Sequence, residues 1–135
     1  MIKLCVCAET LFPELSFQDR IKKIARLGFP AIEFWFWDYE FDGKGLNPAK
    51  KDIAQISSLA KELNIEINDI VVNSPDGSIG GFLTKTEDRT KYLERLRETI
   101  NIAHQLNCKK LITCSGNRVQ GVSEKEQLYN MTKTL

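Results

Sequence analysis

Residues 16–37, SFQDRIKKIARLGFPAIEFWFW, hold one complete helix-to-strand unit whose pattern recurs along the chain. Ser16 with Asp19 three residues later follows the capping-box pattern, with Asp in place of the usual Glu. Phe17, Ile21, Ile24 and Ala25 then recur at three- and four-residue steps and make one apolar helical stripe. Leu27-Gly28 closes the helix, because glycine adopts the left-handed conformation cheaply just past a helix end. Ala31 to Trp37 is rich in aromatic residues and too short for an independent helix, so it reads as a strand.

The same join recurs at Leu63-Asn64 and Leu106-Asn107, each a few residues before an apolar run. Those runs are Ile65 to Val72 and Lys110 to Cys114, and Leu4 to Ala8 is a fourth at the start of the chain. Helix starts are marked by Thr84-x-x-Glu87 and Ser123-x-x-Glu126, and by Asn47-Pro48 with proline in the first turn. Ile53, Ile56, Ala60 and Leu63 form a second apolar stripe. Leu93, Leu96, Ile100 and Ala103 form a third. The spacing predicts helices at 16–27, 47–63, 85–106 and 123–135, and the order β-α-β-α-β-α-β-α.

Strict alternation implies parallel strands with right-handed helical crossovers, an α/β fold. The strands read as near-continuous apolar runs, as expected when both faces of a sheet are covered. A (β/α)8 barrel of about 250 residues spends roughly 30 on each unit. The 135 residues therefore fit one (β/α)4 segment, residues 1–135, half of a TIM barrel and short of a full one. A small doubly wound sheet is the competing architecture. It would need a fifth strand and a phosphate-gripping first loop, whereas Glu9 to Glu14 holds two acids and no glycine.

Composition excludes several classes of function. The chain is 42% hydrophobic and 27% charged, which is near the globular average and argues against disorder. Nineteen basic residues against 18 acidic ones leave a net charge of +1, with no electrostatic reason to expect nucleic acid or an anionic membrane as partner. No apolar run approaches the roughly 20 residues of a membrane span. Leu4 to Ala8 is interrupted by Glu9 and is no signal peptide. These features predict a cytoplasmic protein. Cys5, Cys7, Cys108 and Cys114 lack the C-x2-C spacing of a zinc knuckle and read as reduced core thiols.

In either architecture, chemistry belongs at the carboxyl edge of the strands. The segments there are Glu9 to Glu14, Asp38 to Leu46, Asn73 to Gly81 and Ser115 to Val122. Glu33, Trp35 and Trp37 alternate with Ile32, Phe34 and Phe36, so one face of the second strand carries a carboxylate among rings. A carboxylate in mid-strand needs a partner or a wet cavity, and Glu33 is expected to point toward a barrel interior. Asn73-Ser74-Pro75-Asp76-Gly77 is a turn with local capping, and Gly80-Gly81 extends it without the order of a phosphate-binding loop. Asn117 follows a close-approach glycine, Gly116, and is placed to face a ligand. His104, the only histidine, lies on the third helix away from these ends. No nucleophile–base arrangement assembles from the remaining residues.

The chain resembles the N-terminal half of the hydroxypyruvate isomerase family, within the xylose isomerase-like TIM barrels. The matching residues are Leu11-Phe12-x-Glu14-x-x-Phe17-x-x-Arg20, Gly28-Phe29-x-Ala31-Ile32-Glu33-Phe34-x-Phe36 and Asn73-x-Pro75-x-Gly77. They continue with Ala103-x-x-Leu106-x-x-Lys109-Lys110, Gly116 and Gly121-x-Ser123. Cys7 stands where relatives tend to have Asn, and Trp37 where they tend to have Pro. The resemblance implies a proton shift between adjacent carbons of a small hydroxy-carbonyl or sugar substrate. For the complete barrel it also implies a divalent metal, Mg, Mn or Zn, and paired glutamates.

The family's metal ligands and catalytic glutamates belong to strands five to eight. The resemblance therefore implies no catalytic residue and no metal ligand within these 135 residues, and leaves Glu33, Trp37, Asn73 and Asn117 on the substrate side. The expected activity is conversion of hydroxypyruvate to tartronate semialdehyde by the complete barrel, with the 135-residue chain inactive alone. The alternative is a non-catalytic α/β module that binds a ligand or self-associates through exposed half-barrel edges.

Overall fold

The computed structural model describes residues 4–35, 39–41, 46–48 and 51–135. Its principal sheet has four strands in the order β1 (Cys5–Cys7), β2 (Ala31–Trp35), β5 (Glu66–Val71) and β6 (Leu111–Ile112). β1 and β2 run parallel with Cys5 opposite Ala31 and Cys7 opposite Glu33. The whole sheet is parallel, and with four helices it forms the expected α/β arrangement. The helices are α1 (Phe17–Arg26), α2 (Ile53–Glu62), α3 (Arg89–Gln105) and α4 (Glu124–Thr134).

Two of the expected helix starts are built as read. The Ser16 hydroxyl accepts from the Asp19 N–H at 3.2 Å, and Ser123 does the same for Glu126 at 3.2 Å. The three expected joins also hold, since Gly28, Asn64 and Asn107 take φ values of +84°, +52° and +52°. Two starts are corrected. Leu46–Pro48 is a short strand, β4, paired antiparallel with β3 (Tyr39–Phe41), and α2 begins only after Asp52, whose carboxylate accepts from the Gln55 N–H at 2.9 Å. Proline lacks the donor an inner strand needs, but a two-stranded ribbon tolerates it at an edge. Thr84 caps nothing, because a 3-10 turn at Thr86–Asp88 precedes α3 and Asp88 turns back to accept from the Phe82 N–H at 2.9 Å.

The described chain forms two compact units. The first comprises Met1–Ile70 with Ile102–Leu111, the second Val71–Asn101 with Ile112–Leu135. In the first, Phe17, Ile21 and Ile24 of α1 are buried together with Ile32 and Phe34 of β2. The Phe17 and Phe34 rings meet edge to face, 5.4 Å between centroids, which fixes Phe34 on the helix-covered side. Alternation then puts Glu33 on the opposite face. In the second, Val72, Leu83, Tyr92 and Thr99 are fully buried, and the Tyr92 hydroxyl bonds that of Thr113 at 2.8 Å.

Candidate functional site

In the first unit the carboxyl end of β1 leads into Glu9, whose side chain is fully buried. Lys51 compensates it at 2.6 Å from a side chain only 1% exposed. The Lys51 ammonium also lies 5.0 Å from the centre of the Phe17 ring. Burial pushes the Glu9 carboxyl above its ordinary range, against the opposing pull of Lys51 and, more weakly, Arg20. Arg20 is itself buried and ties down the loop after β1, its Nε donating to the Leu15 carbonyl at 2.9 Å and its Nη2 to that of Pro13 at 2.8 Å. The matched spacing from Leu11 to Arg20 thus builds a strand-end loop wound around one guanidinium. Neither Arg20 nor Lys51 stands out in the sequence as a site residue, because nothing local announces burial of a cation.

Glu33 is half-buried and stands beside Asp69 of β5. Partial burial raises its pKa first, and the neighbouring Asp69 carboxylate raises it further. The third member of the group is Cys5. Its sulfur and one oxygen from each carboxylate lie within 4.8 Å of one another. Burial, then Asp69 and Glu33, push the Cys5 thiol up to about 11. Asp69 is 6% exposed; one oxygen accepts from the Asn68 amide and the other has no hydrogen-bond partner among the described residues. The sequence reading takes Cys5 as a core thiol and does not bring these three residues together. The one available signal of that grouping was an Asp inside the apolar run Ile65 to Val72. Trp37 lies outside the described residues.

In the second unit Asn73 is fully buried and works as a junction. Its amide nitrogen donates to the carbonyls of Cys114 at 2.8 Å and Gly81 at 3.1 Å. Its oxygen accepts from the Cys114 N–H at 2.8 Å and the Thr113 hydroxyl at 3.2 Å. Both functional atoms are thereby engaged by protein, so what Asn73 does in this unit is join the strand ends to the loop that follows β5. Removing its side chain strands two buried carbonyls and one N–H. Asn73→Ala should therefore lower the stability of the chain by about 2 kcal/mol, measured by denaturant unfolding.

The loop itself is held by Asp76, which accepts from the Ser74 and Ser78 hydroxyls and the Ser78 N–H, and by Lys91, which reaches the Gly77 and Ser78 carbonyls. The Phe82 ring sits against the backbone of both Gly77 and Gly116. Asn117 is exposed, on a loop anchored by Gln127, which is bonded to the backbone of Val119 and Val122. His104 is exposed in the last turn of α3.

A cavity of about 380 Å³ in the first unit is lined by Pro30, Lys61, Asn64, Glu66 and Asn107 among others. It lies at the amino ends of β2 and β5, the edge that in such sheets serves stability rather than chemistry.

The sequence profile described as "Xylose isomerase-like TIM barrel" matches residues 21–135. A curated protein of Streptomyces coelicolor, named "Putative hydroxypyruvate isomerase", is 26% identical over 120 residues, 87% of this chain and 42% of that protein. Among solved structures, an AP endonuclease, family 2, from Brucella melitensis superposes with a TM-score of 0.76 at 18% identity, over 99% of this chain and 48% of the other. A sugar phosphate isomerase/epimerase from Parabacteroides distasonis gives 0.67 at 11% identity, over 98% and 44%. A D-psicose 3-epimerase solved in the presence of D-fructose gives 0.68 at 15% identity, over 98% and 46%. The chain spans slightly less than half the length of each of these four relatives.

Proposed function

The chain belongs to the xylose isomerase-like TIM-barrel family, and from that membership we propose that it is the substrate-side part of a cytoplasmic isomerase acting on a small hydroxy-carbonyl compound, of the hydroxypyruvate isomerase type. The observation that carries this reading is Glu33, a carboxylate on the sheet face away from the helices, in the Gly28-Phe29-x-Ala31-Ile32-Glu33-Phe34 sequence of that family. The 26% relative favours hydroxypyruvate among the substrates such barrels take. Isomerisation moves one proton between adjacent carbons, which calls for a carboxylate able to hold a proton near neutral pH. In Glu33, partial burial and the neighbouring Asp69 raise the carboxyl pKa above its ordinary value, the direction that task requires.

A divalent metal, when bound in such a barrel, polarises the substrate carbonyl. Among the described residues, the strand-end donors Glu9 and Asn73 do not fit that task, since Glu9 is committed to Lys51 and Asn73 to Cys114 and Gly81. On this reading Glu33 and Trp37 bind substrate, and in the second unit, taken by itself, Asn73 holds in place the loop that carries Asn117. The test is conversion of hydroxypyruvate to tartronate semialdehyde by the longest native reading frame containing these residues, beside the 135-residue chain. Turnover by the longer protein only, reduced by Glu33→Gln without loss of folding, is the expected result. Absence of turnover on hydroxypyruvate and on a panel of ketoses would overturn the reading.

A further inference from the structure

We propose that Cys5, Glu33 and Asp69 form a binding site for a borderline-soft divalent cation, of which Zn2+ is the best match. Three strands each contribute one donor: a thiol from the first residue of β1, a carboxylate from the middle of β2 and another from β5. The donor atoms lie within 4.8 Å of one another. A tetrahedral zinc ion bonded at about 2.3 Å to sulfur and about 2.0 Å to oxygen holds its ligands nearer than that. Side-chain rotations of about an ångström close the difference, and water supplies the fourth position.

The observation pointing to a cation is Asp69. Its side chain is more than nine-tenths buried, and one of its oxygens has no hydrogen-bond donor among the described residues. A buried carboxylate oxygen facing a second carboxylate and a thiol costs free energy unless something positive joins them. The other buried carboxylate described in this unit, Glu9, has Lys51 for that purpose. The donor set also selects the metal: two carboxylates alone suit Mg2+ or Mn2+, while a thiolate shifts preference to Zn2+ and Co2+. Coordination exchanges the thiol proton for the metal, and one proton per ion leaves to solvent.

The site shares Glu33 with the isomerase reading, but its test reads metal binding and not turnover, so the two fail separately. Its test is titration of the reduced 135-residue chain with Co2+, followed by the thiolate-to-cobalt charge-transfer absorption, and with Zn2+, followed by proton release and thermal unfolding. One ion per chain, release of about one proton and a raised melting temperature with Zn2+ are expected. Cys5→Ser should abolish the charge-transfer band, and Asp69→Asn should weaken Co2+ binding at least tenfold. Cys7→Ser should leave the titration unchanged and serves as the control. Asp69→Asn removes buried negative charge, so the metal-free variant should melt no lower than the parent, which keeps its binding result interpretable. A folded chain showing no thiolate band, a band surviving Cys5→Ser, or a Cys7→Ser variant that loses it would each overturn the proposal.

Discussion

Lys51→Met should destabilise the chain by about 3–5 kcal/mol, the usual cost of removing one partner from a fully buried ion pair. The Lys51 and Glu9 side chains are 1% and 0% exposed and meet at 2.6 Å, so methionine leaves the Glu9 carboxyl enclosed without the cation that compensates it. Arg20 contributes only a weaker attraction and is already spent on the Pro13 and Leu15 carbonyls. The double variant Glu9→Gln, Lys51→Met should recover most of the loss, because the uncompensated charge is then gone.

The variant's pH dependence follows from the same pair. The folded-state pKa of Glu9 is raised above its ordinary 4.5, so the folded protein holds this proton more tightly than the unfolded one. Stability from this group is thus greatest below the unfolded value and falls as pH rises toward the folded one. Without the opposing Lys51 that decline widens, and the deficit of Lys51→Met should shrink as the pH is lowered toward 4.5. Urea unfolding at neutral and mildly acidic pH measures both results. A cost below about 1 kcal/mol, the range of exposed pairs, would show that the pair is solvated.

Gly116→Ala should cost about 2–4 kcal/mol, the sum of a left-handed backbone penalty near 1 kcal/mol and an overpacking penalty of 1–3 kcal/mol. Gly116 has φ +89°, and a Cβ there would stand 2.0 Å from Cδ1 of the Phe82 ring. The ring has little room to retreat, because its far side rests on Gly77, where a Cβ would come within 2.7 Å. In a Phe82→Ala background the same Gly116→Ala change should cost only the backbone part, about 1 kcal/mol. Equal costs in the two backgrounds, measured by thermal unfolding, would show that the ring is not what requires glycine.

These two sites differ in how far a linear reading reaches them. Gly116 is visible as a glycine just past a strand, and Gly28, Asn64 and Asn107 identify themselves in the same way. Each answers to a conformation set by its own φ, which is why the helix ends and the capping serines 16 and 123 are legible. The alternation of Ile32, Glu33 and Phe34 likewise assigns Glu33 to one face before any coordinates exist, because the strand period is two. Asn47-Pro48 and Thr84 misled for a related reason. Proline suits both an edge strand and a first helical turn, and tertiary context took Leu46–Pro48 for the ribbon with Tyr39–Phe41.

By itself, then, the sequence determined the α/β alternation, the joins, the parallel half-barrel and the face on which Glu33 stands, all consequences of local periodicity and of residues that alone tolerate a given backbone angle. Only the tertiary structure decided which side chains meet. Lys51 reaches Glu9 across 42 residues, and Asn73 reaches Cys114 across 41. Cys5, Glu33 and Asp69 converge from three separate strands. A parallel crossover sets neighbouring strands side by side at a register that no single strand encodes, so the pairing of buried charges and donors is a property of the assembled sheet.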